Sequence, residues 1–329
     1  MLETLHTVAK DTLPEVSIIV PCWNSADTLG KTLDSVLAQD FKNWEALVVD
    51  NGSTDSTTDI IREYCSKDSR IIGLYCDRKG PSCSRNFAGL THARSKYLAF
   101  LDSDDLWTSN KLGCTLDYFS QNLSIDAVYA QIAFFRVSPD KPETFSTVYN
   151  RVLEPIDILR DNPVCTMSNL VIKSDIFRKH AGFDELIVHN EDVEFLVRAS
   201  AAGAKIQGIG DHLVSYRTSI SGLSADLELM RKGWHKALES LQATDCCLTP
   251  YQIAEADAGN LRYLARRALR THAPGFEALR FALRGIFRSP RSFFDPLRRG
   301  VGTLLGSAVV PFMPTSLRKI AFSLSLIHI

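Results

Sequence analysis

Four short apolar runs, rich in β-branched residues, restrict the fold of this chain more than any other feature. They recur about every 25–30 residues and read VSIIV (16–20), ALVV (46–49), RIIGLY (70–75) and YLAFL (97–101). Apolar residues at helical spacing separate them, and we expect Asp27 to be the N-cap of the first intervening helix. Alternating strands and helices at this spacing predict an α/β fold with a mainly parallel sheet. Because the strands are apolar throughout, we expect helices on both sheet faces.

The chain beyond residue 125 has a less regular pattern. Residues 126–137 predict a strand or a strand pair, and residues 162–177 predict a strand followed by a short helix. Residues 189–205 predict a helix that opens with acids and ends near Gly203. After about residue 225 the pattern is helical and Arg-rich. We therefore predict an α/β domain over 1–225 and a helical C-terminal region over 226–329.

The formal net charge of −1 conceals two parts of opposite sign. The segment from Arg262 to Lys319 has a formal charge of +10, so the remaining residues carry −11. This division favours a surface-binding tail over a general polyanion binder, and nucleic acid is not an expected partner. Arg alternates with Leu, Phe and Ile in the tail. This pattern predicts either helices that bind an anionic membrane surface or a helical packing domain with a solvated basic face.

The expected location is the cytoplasm. The first residues lack a basic segment followed by an apolar one, and no run approaches the roughly 18–20 apolar residues of a membrane span. The eight cysteines form no C-x-x-C pair and no zinc-binding spacing, so we expect reduced thiols. The C-terminal region adds the alternative of a peripheral position at the inner face of the membrane.

The residues that follow the four apolar runs lie where an open α/β sheet binds its ligands, and most of them are polar. These residues are Pro21, Trp23 and Asn24 after the first run, Asp50 and Asn51 after the second, Cys76 to Arg78 after the third, and Asp102, Asp104 and Asp105 after the fourth. Each feature alone also fits an ordinary strand end or a packing residue. Their common position after four strands favours a binding site.

Three carboxylates within four positions, in YLAFLDSDDLW, repel one another unless a cation lies between them. Mg²⁺ and Mn²⁺ prefer carboxylate oxygens, and Mg²⁺ is commonly held by one or two carboxylates plus substrate phosphates. The sequence therefore predicts a site for a metal–diphosphate complex. Trp23 offers a flat face for a base. We expect Arg85, in the first turn of the helix after GPSCS, to meet phosphate together with the helix N-terminus.

The segments VSIIVPCWN, LVVDNGSTDST, GPSCSRNFAG and YLAFLDSDDLW, in this order and spacing, resemble glycosyltransferase family 2, the inverting enzymes of GT-A fold. The resemblance is strong over about 16–112 and extends more thinly to about 225. It implies a nucleotide-diphospho-sugar donor and a divalent metal, Mn or Mg. It also implies a saccharide or lipid-linked acceptor and a role in cell-surface polysaccharide biosynthesis.

The resemblance also implies roles for individual residues. Pro21, Trp23 and Asn24 fall beside the base and ribose, Asp50 and Asn51 in the nucleoside pocket, Asp102 near the ribose, Asp104 on the metal, Arg85 in the ARN-like segment, and Asp192 of NEDVEF at the catalytic base. Glu191 is then expected to be only a first-turn helix acid, and Asp105 only an N-cap. Two positions depart from the family pattern. Asn51 replaces a common acid, and Ser219 stands where a His is frequent, with His212 nearby.

Other functions fit the sequence less well. A nucleotidyltransferase would need a Gly-rich basic loop after the first strand, but PCWNSADT contains neither Gly nor Lys. A nicotinamide-dependent dehydrogenase would need G-x-G-x-x-G there, which is missing. A non-catalytic sugar-nucleotide-binding or scaffold protein remains an alternative because of the departures at Asn51 and Ser219.

Overall fold

A computed structural model describes residues 13–218, 225–271, 273 and 276–313 of the chain. Its strands form one sheet in the order β3-β2-β1-β4-β8-β6-β9-β5, and β7 pairs with β6. The strands are β1 Val16–Cys22, β2 Trp44–Asp50, β3 Ile71–Tyr75, β4 Tyr97–Phe100, β5 Leu106–Trp107, β6 Ala127–Phe135, β7 Thr144–Phe145, β8 Val171–Lys173 and β9 Ile206–Arg217.

Helices flank the sheet and make up the C-terminal region. The α-helices are α1 Leu29–Leu37, α2 Thr57–Lys67, α3 Pro81–Asn86, α4 Lys111–Gln121, α5 Pro155–Asp161, α6 Ser174–Lys179, α7 Glu191–Ala201, α8 Leu227–Gln242, α9 Pro250–Arg270, α10 Glu277–Arg288, α11 Pro290–Phe293 and α12 Leu297–Val309. A π-helix, Phe87–His92, continues α3, and a 3₁₀-helix, Met167–Asn169, precedes β8.

The predicted parallel layer is the first half of the sheet. β1 lies between β2 and β4, and β3 lies outside β2, all in parallel register. All residues of β2 and β4 are buried, which explains their continuous apolar runs. The other half is mixed: β8 runs antiparallel to β4 and β6, while β9 runs parallel to β6. Residues 126–137 therefore contain one long strand, β6, rather than a pair.

The first helix packs as expected but begins one residue late. Leu29, Leu33 and Val36 are buried on one face of α1. Thr28, not Asp27, is its N-cap residue, so the prediction for Asp27 is wrong. A turn precedes the helix, because the amides of Thr28 and Leu29 both donate to the carbonyl of Ser25.

The C-terminal region is helical, as predicted, and packs closely on the α/β part. Trp234 of α8 lies in the same apolar cluster as residues of the sheet and donates from its ring nitrogen to the carbonyl of Leu159, at 2.8 Å. A separate apolar cluster, which includes Leu264, Phe281 and Phe293, joins α9, α10 and α11. The domain division after residue 225 stays a prediction. In the ranges described, no helix is long and apolar enough to cross a membrane.

Candidate active site

The loops that follow β1, β2 and β4 meet at one edge of the sheet. The side-chain oxygen of Asn24 accepts a hydrogen bond from the backbone amide of Thr54, at 2.8 Å, which joins the first loop to the second. The hydroxyls of Ser25 and Ser103 are 2.7 Å apart and join the first loop to the loop after β4. Parallel strands thus bring together the polar residues that the sequence singled out.

Asp50, the last residue of β2, is buried and hydrogen-bonded to the loop that follows it. The amide of Ser53 donates to Oδ1 at 2.9 Å, and the hydroxyl of Thr58 donates to Oδ2 at 2.5 Å. Burial acts to raise the pKa of Asp50, but these hydrogen bonds outweigh it and lower the pKa. Asp50 is therefore a charged group that fixes the loop. Its contact with a nucleoside stays a prediction.

Asn51 uses its amide to hold the segment between β3 and α3. Its Nδ2 donates to the carbonyls of Cys76, at 2.9 Å, and Arg78, at 2.7 Å, while its Oδ1 accepts from the amide of Gly80 at 2.8 Å. An ionised acid at this position could not donate to either carbonyl. The Asn therefore fits this loop, and in this conformation both amide hydrogens are already used. A contact of Asn51 with a base stays a prediction.

Pro21 and Trp23 line a cavity of about 510 Å³ that opens at this sheet edge. Trp23 is 63% exposed, so its ring is open to a flat ligand. The other predicted residues in the wall of this cavity are Arg85, Asp102, Asp104 and Asp192. Asn24, Asp50 and Asn51 support the loops around it.

The three aspartates after β4 have different environments. Asp105 is fully buried, and it accepts hydrogen bonds from the hydroxyl of Ser168, at 2.5 Å, and the amide of Arg217, at 2.9 Å. The N-cap role expected for Asp105 is therefore wrong, because its carboxylate faces inward and ties the loop to β9. No described side chain donates a hydrogen bond to the carboxylate of Asp104, although Nε of Arg217 donates to its backbone carbonyl at 3.1 Å. Burial and the charge of Asp102 raise the pKa of Asp104 to about 6.

Arg85 lies in the last turn of α3, so the expectation of a first-turn position is wrong. The side chain is 5% exposed and joins two carboxylates. One guanidinium nitrogen is 2.7 Å from an oxygen of Asp102, and the other is 2.8 Å from an oxygen of Glu191. In this arrangement Arg85 connects the loop after β4 to the start of α7. A direct contact with phosphate stays a prediction.

Backbone geometry sets the position of the two acids that open α7. Asn190, the residue before them, has a φ of +61° and donates from its side chain to the carbonyl of Met230 at 2.7 Å. Asn tolerates this left-handed conformation better than most residues. On the facing helix, α8, a Cβ at Gly233 would lie 1.8 Å from the carbonyl oxygen of His189. The absence of a side chain at Gly233 therefore lets α8 approach the loop before α7.

Glu191 and Asp192 have different partners. Glu191 is buried and paired with Arg85, so it is more than the dipole-stabilised helix acid that we expected. Burial and the charge of Asp192 raise the pKa of Glu191 to about 7, although Arg85 opposes the rise. Burial also raises the pKa of Asp192, and Asn162 partly offsets this by donating to its Oδ2 at 3.2 Å. An acid with a raised pKa in a cavity suits proton transfer.

The loop of residues 102–105, here called the acid loop, suits a cation that also binds substrate. Within the described ranges, no three His, Cys, Asp or Glu side chains form a cluster that would hold a metal by itself. The carboxylate of Asp104 nevertheless lines the cavity without a side-chain hydrogen-bond donor, and the charges of Asp102 and Arg217 both act on it. Mg²⁺ needs only one or two protein carboxylates when phosphates and water complete its shell. The residues present therefore fit a metal held jointly by protein and diphosphate.

Residues 17–181 match the family described as Glycosyl transferase family 2. The chain belongs to glycosyl transferase family 2. WfaP of Escherichia coli, a UDP-Glc:alpha-D-GlcNAc-diphosphoundecaprenol beta-1,3-glucosyltransferase, is 47% identical over 100 residues, which cover 30% of this chain and 38% of WfaP. TuaG of Bacillus subtilis, a putative teichuronic acid biosynthesis glycosyltransferase, is 41% identical over 109 residues, which cover 33% of this chain and 43% of TuaG. The chain thus spans less than half the length of these curated relatives.

The GT-A fold of this family 2 member is also confirmed. The mannosyltransferase PcManGT of Pyrobaculum calidifontis superposes with a TM-score of 0.58 at 17% identity. The match covers 92% of this chain and 88% of PcManGT, whose solved structure is a complex with GDP-Man and Mn²⁺. The family and the GT-A fold predicted from the sequence are therefore both confirmed.

Several residues of this site gave no recognisable pattern in the sequence. Asn162 holds Asp192, and Ser168 holds Asp105, across 30 and 63 positions of the chain. His212 packs edge-on against Phe145 and does not line the cavity, so it does not replace the family histidine. Ser219, the position of that histidine, lies outside the described residues.

Proposed function

We propose that the chain transfers a sugar from a nucleotide-diphospho-sugar to an acceptor hydroxyl by a single inverting displacement. One observation carries the proposal: Asp104 and Asp192 line the same cavity, at the carboxyl ends of the parallel strands. The donor would lie along Pro21 and Trp23, with its diphosphate beside the acid loop. The acceptor is a saccharide or a lipid-linked saccharide, and we assign the reaction to cell-surface polysaccharide biosynthesis.

Asp104 would hold a divalent metal, Mn or Mg, with Asp102 next to it. The metal would stabilise the negative charge that develops on the leaving nucleoside diphosphate. Arg85 keeps Asp102 in position through their 2.7 Å ion pair. PcManGT, whose structure contains Mn²⁺ and a GDP-sugar, supports the type of donor complex proposed.

Asp192 is the proposed general base. It would accept the proton of the acceptor hydroxyl, whose oxygen then attacks the anomeric carbon opposite the leaving diphosphate. Its raised pKa increases its affinity for that proton, while the hydrogen bond from Asn162 fixes its orientation. Glu191 is less suited to this role, because its carboxylate is already paired with Arg85.

Donor turnover is the direct test. The protein should be incubated with UDP-, GDP- and dTDP-sugars and Mn²⁺, and the release of nucleoside diphosphate should be measured with and without EDTA. We expect metal-dependent release from one nucleotide class. Nucleotide binding without release from any donor, even with lipid-linked saccharide acceptors, would favour the non-catalytic alternative.

We also propose that the C-terminal helices rest on the anionic inner face of a membrane, which would make the enzyme a cytoplasmic, peripheral protein. The exposed face of α10 alternates apolar and basic residues: Phe276 and Phe287 are 60% and 85% exposed, with Arg284 between them. On α12, Leu297, Val301, Leu305 and Val309 are exposed at four-residue spacing. Apolar residues flanked by arginines suit an anionic lipid surface.

Vesicle co-sedimentation tests this surface. Binding to phosphatidylglycerol vesicles should exceed binding to phosphatidylcholine vesicles and fall at high salt. Phe287→Ser should weaken binding, whereas Leu123→Ser, which changes an exposed apolar residue elsewhere, should not. Equal sedimentation of both variants and the wild type would count against the proposed surface.

A further inference from the structure

The cavity that contains the proposed catalytic acids also has a strongly basic wall. Six arginines from α5, α9 and α12 line it: Arg160, Arg262, Arg266, Arg267, Arg270 and Arg299. One carboxylate among them, Asp161, pairs with Arg160 at 2.9 Å and with Arg262 at 3.0 Å. Asp161 therefore pairs with two of the arginines that make up this basic wall.

Arg266 is the member of this wall that the protein itself does not satisfy. It is 6% exposed, and its Nη2 is buried without a hydrogen-bond partner. In the part of the chain that the structure describes, no hydrogen bond or ion pair engages its guanidinium. Burial and the charges of Arg270, Arg299 and Arg262 lower the pKa of Arg266 to about 9. A buried charge without a partner is unfavourable, so the site is suited to an anion.

A second buried arginine shows how the same helix satisfies a guanidinium. Arg231 of α8 is 6% exposed, like Arg266, but it pairs with Asp257 and donates to Asn260 at 2.8 Å, both on α9. Among the described residues, no acid forms a hydrogen bond or an ion pair with Arg266, although the charge of Asp161 partly opposes the fall in its pKa. The guanidinium is planar and offers paired donors that match phosphate oxygens, so phosphate is the anion that it suits best.

The basic wall adjoins the proposed base. Arg262 pairs with Asp161, and the next residue, Asn162, donates to Asp192. The phenol of Tyr263 lies close enough to Asp192, Arg267 and Arg270 for all three charges to act on its pKa. An anion at Arg266 would therefore lie near Asp192, where the acceptor hydroxyl is proposed to bind. The donor diphosphate already has a place beside Asp104.

We propose that Arg266 and the arginines around it bind the phosphate or diphosphate group of the acceptor, and so select a phosphate-linked saccharide as substrate. This inference rests on the proposed transfer reaction in the same cavity. The phosphate would hold the acceptor while one of its sugar hydroxyls lies at Asp192. A diphosphate-linked acceptor, of the kind in the name of WfaP, has the required chemistry.

The test uses inorganic pyrophosphate as the probe and isothermal titration calorimetry as the readout, in EDTA so that no metal contributes. We expect the wild type to bind pyrophosphate and Arg266→Met to bind it at least about tenfold more weakly, as for loss of a charge-assisted hydrogen bond. Arg62→Met, which removes an exposed arginine outside the cavity, should retain wild-type affinity within about twofold. Equal affinity of Arg266→Met and the wild type would overturn the site, as would a wild type that does not bind.

Three further measurements distinguish an acceptor site from a purely structural role of Arg266 and from a donor site. Thermal unfolding without ligand should show Arg266→Met at least as stable as the wild type, because it loses an unpaired charge, and Arg266→Lys should bind with intermediate affinity. Pyrophosphate titrations should then be repeated with saturating UDP, GDP or dTDP and Mn²⁺. Unchanged affinity supports an acceptor site, whereas competition would show that the basic wall takes the donor diphosphate. A donor panel without turnover would refute the transferase proposal separately, since pyrophosphate binding is measured without turnover.

Discussion

Replacing Arg85 by Met should destabilise the fold in a pH-dependent way. Arg85 is 5% exposed and is the guanidinium between Asp102 and Glu191, at 2.7 and 2.8 Å. Met fills much of its volume but leaves both carboxylates without their cation. Removing one partner of a buried ion pair typically costs about 3–5 kcal/mol. We expect a loss in this range in the free energy of unfolding at pH 8.

The sign of the pH dependence follows from Glu191. Its pKa in the folded state is about 7, above its ordinary value of 4.5. Between these values the folded state binds more protons than the unfolded state, so the contribution of Glu191 to stability falls as the pH rises. Without Arg85, which opposes this rise in pKa, the folded-state pKa should increase further. The cost of Arg85→Met should therefore be smaller at pH 5, by at least about 1.4 kcal/mol, the equivalent of one pKa unit.

Urea unfolding at pH 5 and pH 8 measures both quantities. Arg62→Met is the matched control, because Arg62 pairs with Asp59 while both side chains are about three-quarters exposed. That variant should lose less than about 1 kcal/mol at either pH. A loss below 1 kcal/mol for Arg85→Met at pH 8, or the same loss at both pH values, would refute the assigned role of Arg85.

Four further substitutions test the site and its support. Asp192→Asn should lower transfer by about 10²–10⁴-fold with donor affinity retained, and wild-type transfer should rise with pH through the raised pKa of Asp192; full transfer by the variant would exclude this base. Asp104→Asn should abolish the Mn²⁺-dependent part of nucleotide binding in calorimetry, and unchanged metal dependence would exclude Asp104 as a ligand. Gly233→Ala should lower the melting temperature and transfer together, because its Cβ would lie 1.8 Å from the His189 carbonyl oxygen; wild-type melting would show that the backbone adjusts. Ser168→Ala should cost about 1–3 kcal/mol in urea unfolding by removing one of the two hydrogen-bond donors to buried Asp105, and an unchanged midpoint would contradict that role.

The sequence predicted the parallel strands and their polar ends because both depend on local pattern. The apolar run in β2 indicates a strand with two covered faces, and the position of Asp50 at the end of that strand predicts that it lies at the edge of the sheet. The same local reasoning failed for Asp105, which it treated as an N-cap. The partners of Asp105, Ser168 and Arg217, lie 63 and 112 positions away, so its burial depends on tertiary packing.

The environments of individual arginines were likewise not predictable from local sequence pattern. The sequence indicated that the tail is helical and basic, and α9 to α12 confirm it. Helical spacing does not reveal that Arg266 is buried or that Arg85 joins two acids, because each depends on elements distant in the chain. A segment rich in arginine therefore reveals its net charge, but not which of its guanidinium groups are buried in the folded protein.

The hydrogen bonds around residues 102–105 also affect how quickly and how tightly a donor could bind. The backbone carbonyls of Ser103 and Asp105 accept from the hydroxyl of Thr32, and the Asp105 carboxylate is held from two further directions. A mobile loop would lose roughly 1–2 kcal/mol of conformational entropy per residue on binding. Here that loss has already occurred during folding, so a donor meets carboxylates that need no ordering. Mutations that loosen this loop should therefore weaken donor affinity even when they leave every carboxylate intact.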